Sequence, residues 1–91
     1  YQETKLDFNF LIDKNRLFSD VTDYMNSFKS DLRYEVKLVD VYEGKGIDES
    51  KRSMTFNVII GSDERTLTSE EITTFHDSFI KHMEKEGYVL R

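Results

Sequence analysis

The chain has 91 residues, no cysteine and a formal net charge of -5. This length accommodates one hydrophobic core, and the lack of cysteine excludes a disulfide-stapled scaffold, thiolate catalysis and Cys-ligated metal centres. With 13 basic and 18 acidic residues, strong autonomous nucleic-acid binding is disfavoured, whereas local binding within a larger assembly stays open. No apolar run reaches the roughly 20 residues of a membrane span, and no signal-peptide pattern opens the chain. Because it does not begin with Met, we expect a piece of a longer protein.

The first two predicted elements are a strand and a helix. Alternation over residues 4–13 predicts a strand that is buried on one side. From Leu17 the apolar spacing becomes that of an amphipathic helix, which we expect to be capped near Ser19 and to end near residues 30–31. The apolar stripe of this helix comprises Leu17, Val21, Tyr24, Met25 and Phe28.

Two more strands follow the helix. Residues 34–43 are rich in β-branched and aromatic residues, but their alternation is imperfect, which predicts a bulge or bend near residues 38–39. A polar loop follows, with Gly44 and Gly46 as turn residues. Residues 53–60 then alternate strictly, which predicts a third strand with Phe56 on its buried face.

The last third of the chain predicts a helix and a short extended segment. Thr68 and Glu71 have the spacing of a capping box, and Gly87 suits the position after a helix end. Residues 88–91 then form a short extended segment.

The predicted order is β-α-β-β-α-β, an α+β ferredoxin-like domain over residues 1–91. Each helix has one apolar stripe, so both should cover one face of a four-stranded antiparallel sheet. The other face would stay open and carry Asp7, Asn9, Ser53, Thr55 and Asn57. The residues predicted to be largely buried are Phe8, Phe10, Val21, Met25, Phe28, Phe56, Val58, Ile72, Phe75 and Phe79.

The sequence offers little support for enzyme chemistry. His76 and His82 are six residues apart, so they do not share a helix face as metal ligands would. No phosphate-binding glycine loop and no nucleophile or zinc motif is present. We therefore predict no catalytic, cofactor-binding or metal-binding residues.

Several short motifs together resemble one known family. They are residues 5–7 (KLD), residues 39–44 (VDVYEG), residues 51–53 (KRS), residues 64–68 (ERTLT) with Glu70 and Glu71, and the terminal Leu90 and Arg91. In order and spacing they are similar to the C-terminal ferredoxin-fold anticodon-binding domain of bacterial phenylalanyl-tRNA synthetase β subunits.

The resemblance implies a non-catalytic module that binds the anticodon stem-loop of phenylalanine tRNA. It also implies a cytoplasmic parent enzyme, an (αβ)2 assembly with a synthetase α subunit that uses ATP and magnesium elsewhere.

By the same resemblance, Asp40, Ser53 and Arg91 match the positions that contact the anticodon. An ionised Asp40 accepts the N1–H and N2–H donors of guanine, Ser53 donates or accepts, and Arg91 stacks on a base or binds a phosphate. The alternatives are a strand-end Asp40, an ordinary open-face Ser53 and a frayed terminal Arg91.

Four further residues are weaker RNA-binding candidates. Tyr42 is either a stacking platform or an ordinary strand aromatic. The local basic cluster of Lys45, Lys51 and Arg52 either meets the phosphate backbone or belongs to a solvated loop.

Two other functions compete with RNA binding. The acidic balance and the open sheet face also suit a protein-interaction or regulatory domain with a basic partner. A small-molecule sensor of the same fold would need a ligand pocket, for which the sequence shows no glycine-rich loop.

Overall fold

The computed structural model describes residues 2–91 and has the predicted β-α-β-β-α-β order. Its elements are β1 (Thr4–Asp13), α1 (Phe18–Asn26), β2 (Arg33–Tyr42), β3 (Lys51–Gly61), α2 (Ser69–Lys85) and β4 (Val89–Leu90). The four strands form one antiparallel sheet in the order β2-β3-β1-β4. None of the helices within residues 2–91 combines the length and the apolar character that a membrane crossing requires.

Alternation in the two central strands determines which face of the sheet is buried. Phe8 of β1 lies opposite Phe56 of β3, and both are in the core. Phe56 is 0% exposed while Thr55 is half-buried, so the predicted register of β3 is confirmed. Of the ten predicted core residues, Phe28 and Ile72 are half-buried at the rim and the other eight are buried.

The predicted irregularity in β2 is confirmed as a register shift between Leu38 and Asp40. Val39 is the extra residue, so Asp40 pairs with Thr55 of β3. Because side chains alternate along a strand, an unbroken β2 would direct Asp40 towards the helices. The bulge therefore turns Asp40, and Tyr42 two residues later, onto the open face of the sheet.

Helix α1 begins within one residue of the predicted start, but its predicted cap near Ser19 and its predicted end near residues 30–31 were wrong. Leu17 precedes the helix, is 64% exposed and makes no side-chain cap, and Ser19 lies in the first turn. The helix ends at Asn26 because other groups satisfy its last carbonyls. The Ser27 hydroxyl donates to the carbonyl of Tyr24, and the backbone N–H of Phe28 donates to that of Met25 (3.2 Å). The Tyr34 hydroxyl lies 2.6 Å from the carbonyl oxygen of Phe28 and 3.0 Å from that of Met25, which holds the chain after the helix.

The capping box at the start of α2 is confirmed. The backbone N–H of Glu71 donates to the Thr68 hydroxyl (3.2 Å), and the N–H of Thr68 donates to the Glu71 carboxylate (3.1 Å). That second bond and the neighbouring Arg65 guanidinium lower the pKa of Glu71. After the helix, Gly87 has a φ of +84°, a conformation that favours glycine.

Replacing Thr68 with alanine should lower the free energy of unfolding by about 1 kcal/mol, because the N-cap hydroxyl satisfies a helix-end N–H group. Urea denaturation followed by circular dichroism measures the change. Thr73→Ala is the matched control, since Thr73 is exposed within α2 and alanine is the better helix former. Equal destabilisation by both substitutions would contradict a capping role for Thr68.

Candidate nucleic-acid interface

The strand register arranges the side chains of the open face in rows across the sheet. One row crosses all four strands and is called the polar row here. It consists of Asp40 on β2, Thr55 on β3, Asn9 on β1 and Arg91 just after β4. The backbone N–H of Arg91 donates to the carbonyl of Asn9 (2.8 Å), which extends the pairing of β4 with β1 by one residue. In this structure Arg91 thus continues the pairing of the sheet beyond β4.

A chain of hydrogen bonds links three strands through this face. Arg91 Nη1 donates to Ser53 Oγ (3.2 Å), and Ser53 Oγ donates to Asn9 Oδ1 (2.8 Å). Asn9 Nδ2 then donates to Thr55 Oγ1 (2.6 Å). Because Ser53 belongs to β3, the Arg91 side chain crosses β1, and its guanidinium lies one strand from β2.

Ser53 has the predicted orientation, but its hydroxyl is not available as a surface group. Ser53 is 2% exposed, and its oxygen both accepts from Arg91 and donates to Asn9. A hydroxyl has one hydrogen and two lone pairs, so one lone pair remains, beneath the Arg91 side chain. In this structure Ser53 positions Arg91.

Asp40 lies on the exposed side of the β-bulge, opposite Thr55. Within residues 2–91 its carboxylate forms no hydrogen bond and no ion pair. The Arg91 guanidinium reaches β3, the strand next to Asp40, where it donates to Ser53. An unpaired acceptor and a multiple donor thus lie on neighbouring strands of the open face, and the area between them is where a base would have to bind.

Tyr42 lies next to this area, opposite Ser53 on the edge strand. Its ring is 42% exposed, and its hydroxyl donates to the backbone carbonyl of Lys45 (3.0 Å). This bond fixes the ring against the β2–β3 loop, where Gly44 and Gly46 have φ values of +128° and +89°. The exposed ring is therefore held in place, as a stacking surface requires.

The three basic candidates do not form one surface. Lys45 is exposed in the β2–β3 loop. Lys51 faces the open side, where its ammonium is paired with Asp13 (2.6 Å). Arg52 lies opposite buried Ile12 and so faces the helices.

The Arg52 guanidinium has partners on the helix side of the sheet, although its buried Nε forms no hydrogen bond within residues 2–91. It lies 5.0 Å from the ring centroid of Phe18, donates to the carbonyl of Lys14, and is 3.7 Å from the Glu43 carboxylate. Its side chain therefore anchors the start of α1 and contributes nothing to the polar row.

Sequence reasoning placed Asn9 and Thr55 on the open face but gave neither a functional role. The signal was present for Asn9, since asparagine is depleted in strands and this one lies in the middle of a central strand. Which partners its amide would bond depends on the pairing of β1 with both β3 and β4, and the linear sequence does not display that pairing.

The two histidines take part in packing between elements. The His76 ring stacks on Phe8 at 5.1 Å, and the His82 ring stacks on Tyr24 at 4.1 Å. Nowhere in residues 2–91 do three or more His, Cys, Asp or Glu side chains converge as metal ligands would.

An open cleft of about 670 Å³ lies between the α1–β2 connection and the start of α2. Its lining includes Phe28, Leu32, Arg65, Glu71 and Phe75. Two of its charged groups are engaged, since Arg65 is paired with Glu71 and Glu71 belongs to the capping box, whereas Lys29, Asp31 and Glu70 also line the cleft.

A family model and the similar proteins both point to one family. The family described as "Ferredoxin-fold anticodon binding domain" matches residues 1–91. Phenylalanine–tRNA ligase beta subunits are among the similar proteins: that of Syntrophotalea carbinolica is 38% identical over 89% of this chain. Those of Bacillus licheniformis and Thermotoga maritima are 34% and 33% identical over 100% of it. The chain spans only 10% to 12% of the length of these relatives.

Proposed function

The chain belongs to the ferredoxin-fold anticodon binding domain family, and from this premise we propose that its polar row binds the anticodon loop of phenylalanine tRNA. The domain itself is a binding module without catalytic residues. It contributes to aminoacylation by presenting the tRNA to an active site elsewhere in the parent enzyme.

The observation that carries the proposal is the unpaired Asp40 carboxylate on the strand next to the one that the guanidinium of Arg91 reaches. Sequence-specific RNA recognition targets single-stranded loops, whose bases stack on aromatic rings and form hydrogen bonds through their Watson–Crick edges. Phenylalanine anticodons begin with guanine, whose N1–H and N2–H groups suit an acceptor-only carboxylate. The remaining guanidinium donors of Arg91 suit the guanine carbonyl or a phosphate, and the exposed ring of Tyr42 suits stacking.

The charge of the chain limits what this domain contributes to affinity. A net charge of -5 disfavours non-specific phosphate binding, which Lys and Arg supply. We therefore assign the domain base recognition, with Lys45 and Lys51 as peripheral phosphate contacts at most. The rest of the parent supplies most of the affinity.

The chemistry of aminoacylation belongs to the parent protein in this proposal. The α subunit of an (αβ)2 assembly, ATP and magnesium act there. Within residues 2–91 no three His, Cys, Asp or Glu side chains converge as the ligands of a metal ion would.

Titration of the chain with two RNA hairpins tests the proposal. One hairpin carries the phenylalanine anticodon loop, and the other differs only by adenine in place of guanine at the first anticodon position. We expect the native hairpin to bind about tenfold more tightly, since one mismatched base contact typically costs about 1–3 kcal/mol in nucleic-acid recognition. The titration is run at low salt and high RNA concentration, because a chain of net charge -5 binds RNA weakly. Equal affinity for both hairpins would contradict the proposal and favour the protein-interaction alternative.

A further inference from the structure

We infer that Asn9 is a positioning residue that orients the donors of the polar row towards the RNA. This inference rests on the proposed function and assigns Asn9 a part in base discrimination. Its side chain is half-buried and forms hydrogen bonds with Ser53 and Thr55, and its backbone carbonyl accepts a hydrogen bond from the N–H of Arg91. Asn9 therefore contacts Ser53 and Thr55 through its amide and the backbone of Arg91 through its carbonyl. It acts on the Arg91 guanidinium only through Ser53.

The direction of the hydrogen-bond chain follows from donor and acceptor chemistry. A guanidinium can only donate, so the Ser53 oxygen must accept from Arg91. The single hydrogen of the Ser53 hydroxyl then goes to Asn9 Oδ1. That fixes the orientation of the amide, whose nitrogen faces Thr55 and donates to its oxygen.

The direction of these hydrogen bonds determines which donors and acceptors remain free to bind a ligand. Because the Thr55 oxygen accepts from Asn9, the Thr55 hydroxyl hydrogen is free to donate away from β1, towards the area beside Asp40. The second amide hydrogen of Asn9 and the other guanidinium hydrogens of Arg91 are also unused by the chain of bonds. The area beside the Asp40 acceptor is thus lined by donors, an arrangement that depends on the Asn9 amide.

Removing the Asn9 amide would free the hydroxyl groups of both Ser53 and Thr55 to reorient. Without the acceptor Oδ1, the Ser53 hydroxyl can rotate and donate elsewhere, and the Arg91 guanidinium loses an oriented partner. Without the donor Nδ2, the Thr55 hydroxyl can turn towards β1. The backbone bond between Arg91 and residue 9 would remain, so we expect the sheet to persist.

Asn9→Ala tests the inference in the two-hairpin titration, and Asn57→Ala is the matched control. Asn57 is also half-buried on the open face of a central strand, and within residues 2–91 its side chain forms no hydrogen bond. We expect Asn9→Ala to reduce the preference for the guanine hairpin by about three- to tenfold, the effect of losing one or two hydrogen bonds. Asn57→Ala should leave the preference unchanged.

A spectroscopic measurement separates positioning from a general structural role. The Arg91 Nη1–H signals in a ¹⁵N correlation spectrum report on the bond to Ser53, and they should exchange with solvent faster in Asn9→Ala than in Asn57→Ala. If Asn9→Ala does not fold, Asn9→Leu replaces it, because an apolar side chain of nearly the same size fills the site while removing both the acceptor for Ser53 and the donor to Thr55.

The outcomes distinguish this inference from the proposed function. A wild-type chain that prefers guanine, with that preference reduced by Asn9→Ala or Asn9→Leu, supports both. An unchanged preference in the tested variant overturns the role of Asn9 and leaves the proposed function intact. A wild-type chain without any preference overturns the proposed function, and the inference with it.

Discussion

Replacing Phe79 with alanine should lower the free energy of unfolding by about 3–5 kcal/mol, the cost of deleting a buried phenylalanine from a core. Phe79 is 0% exposed. Its ring lies 5.1 Å from that of Phe8 on the sheet and 5.4 Å from that of Phe28 after α1. The cavity would open where the two helices meet the sheet, and domains of this size have only about 5–15 kcal/mol of total stability. Urea denaturation measures the loss.

Phe18→Ala is the control for this prediction because it removes the same ring from a different environment. Phe18 is 43% exposed and contacts the guanidinium of Arg52. Its replacement should cost about 1 kcal/mol, since an exposed cation–π contact contributes about 0.5–1 kcal/mol. If the two substitutions destabilised the chain equally, Phe79 would not be the centre of the core.

The periodicity of the sequence was sufficient to predict the sheet and its buried face. Alternation at Phe8 and Phe56 specifies a face directly, because a shift of one residue would expose every apolar side chain of the strand. The bulge after Leu38 was also predictable, since the apolar residues of this strand could not all face one side of the sheet. The end of α1 was not, because it depends on hydrogen bonds from Ser27 and from Tyr34 in the following strand.

The candidate site was only partly predictable for a related reason. The resemblance pointed to Asp40, Ser53 and Arg91, and the open-face pattern already contained Asn9. The burial of Ser53 depends on the Arg91 side chain crossing β1, a contact between strands that are distant in sequence. Arg52 had a favourable charge, but its place opposite Ile12 directs it to the other face.

Replacing Asp40 with alanine should abolish most of the preference for guanine at the first anticodon position. The carboxylate is the one acceptor-only group in the polar row, and the N1–H and N2–H donors of guanine would lose their partner. A bidentate base contact contributes about 1–3 kcal/mol of discrimination, so the preference should fall by about tenfold or more. Charging efficiency of the parent enzyme with native tRNA and with a variant tRNA carrying adenine at that position measures it.

Asp7→Ala is the matched control, since it removes the same charge from the same face. Asp7 is exposed on β1, one row away from the polar row and opposite Asn57. Either substitution changes the net charge from -5 to -4, which should raise the affinity for any RNA slightly and equally. Only Asp40→Ala should also change the ratio between the two tRNAs, because a base contact discriminates and a general charge does not. If Asp40→Ala lowered charging of both tRNAs by the same factor, Asp40 would be a structural residue of the bulge and not a base contact.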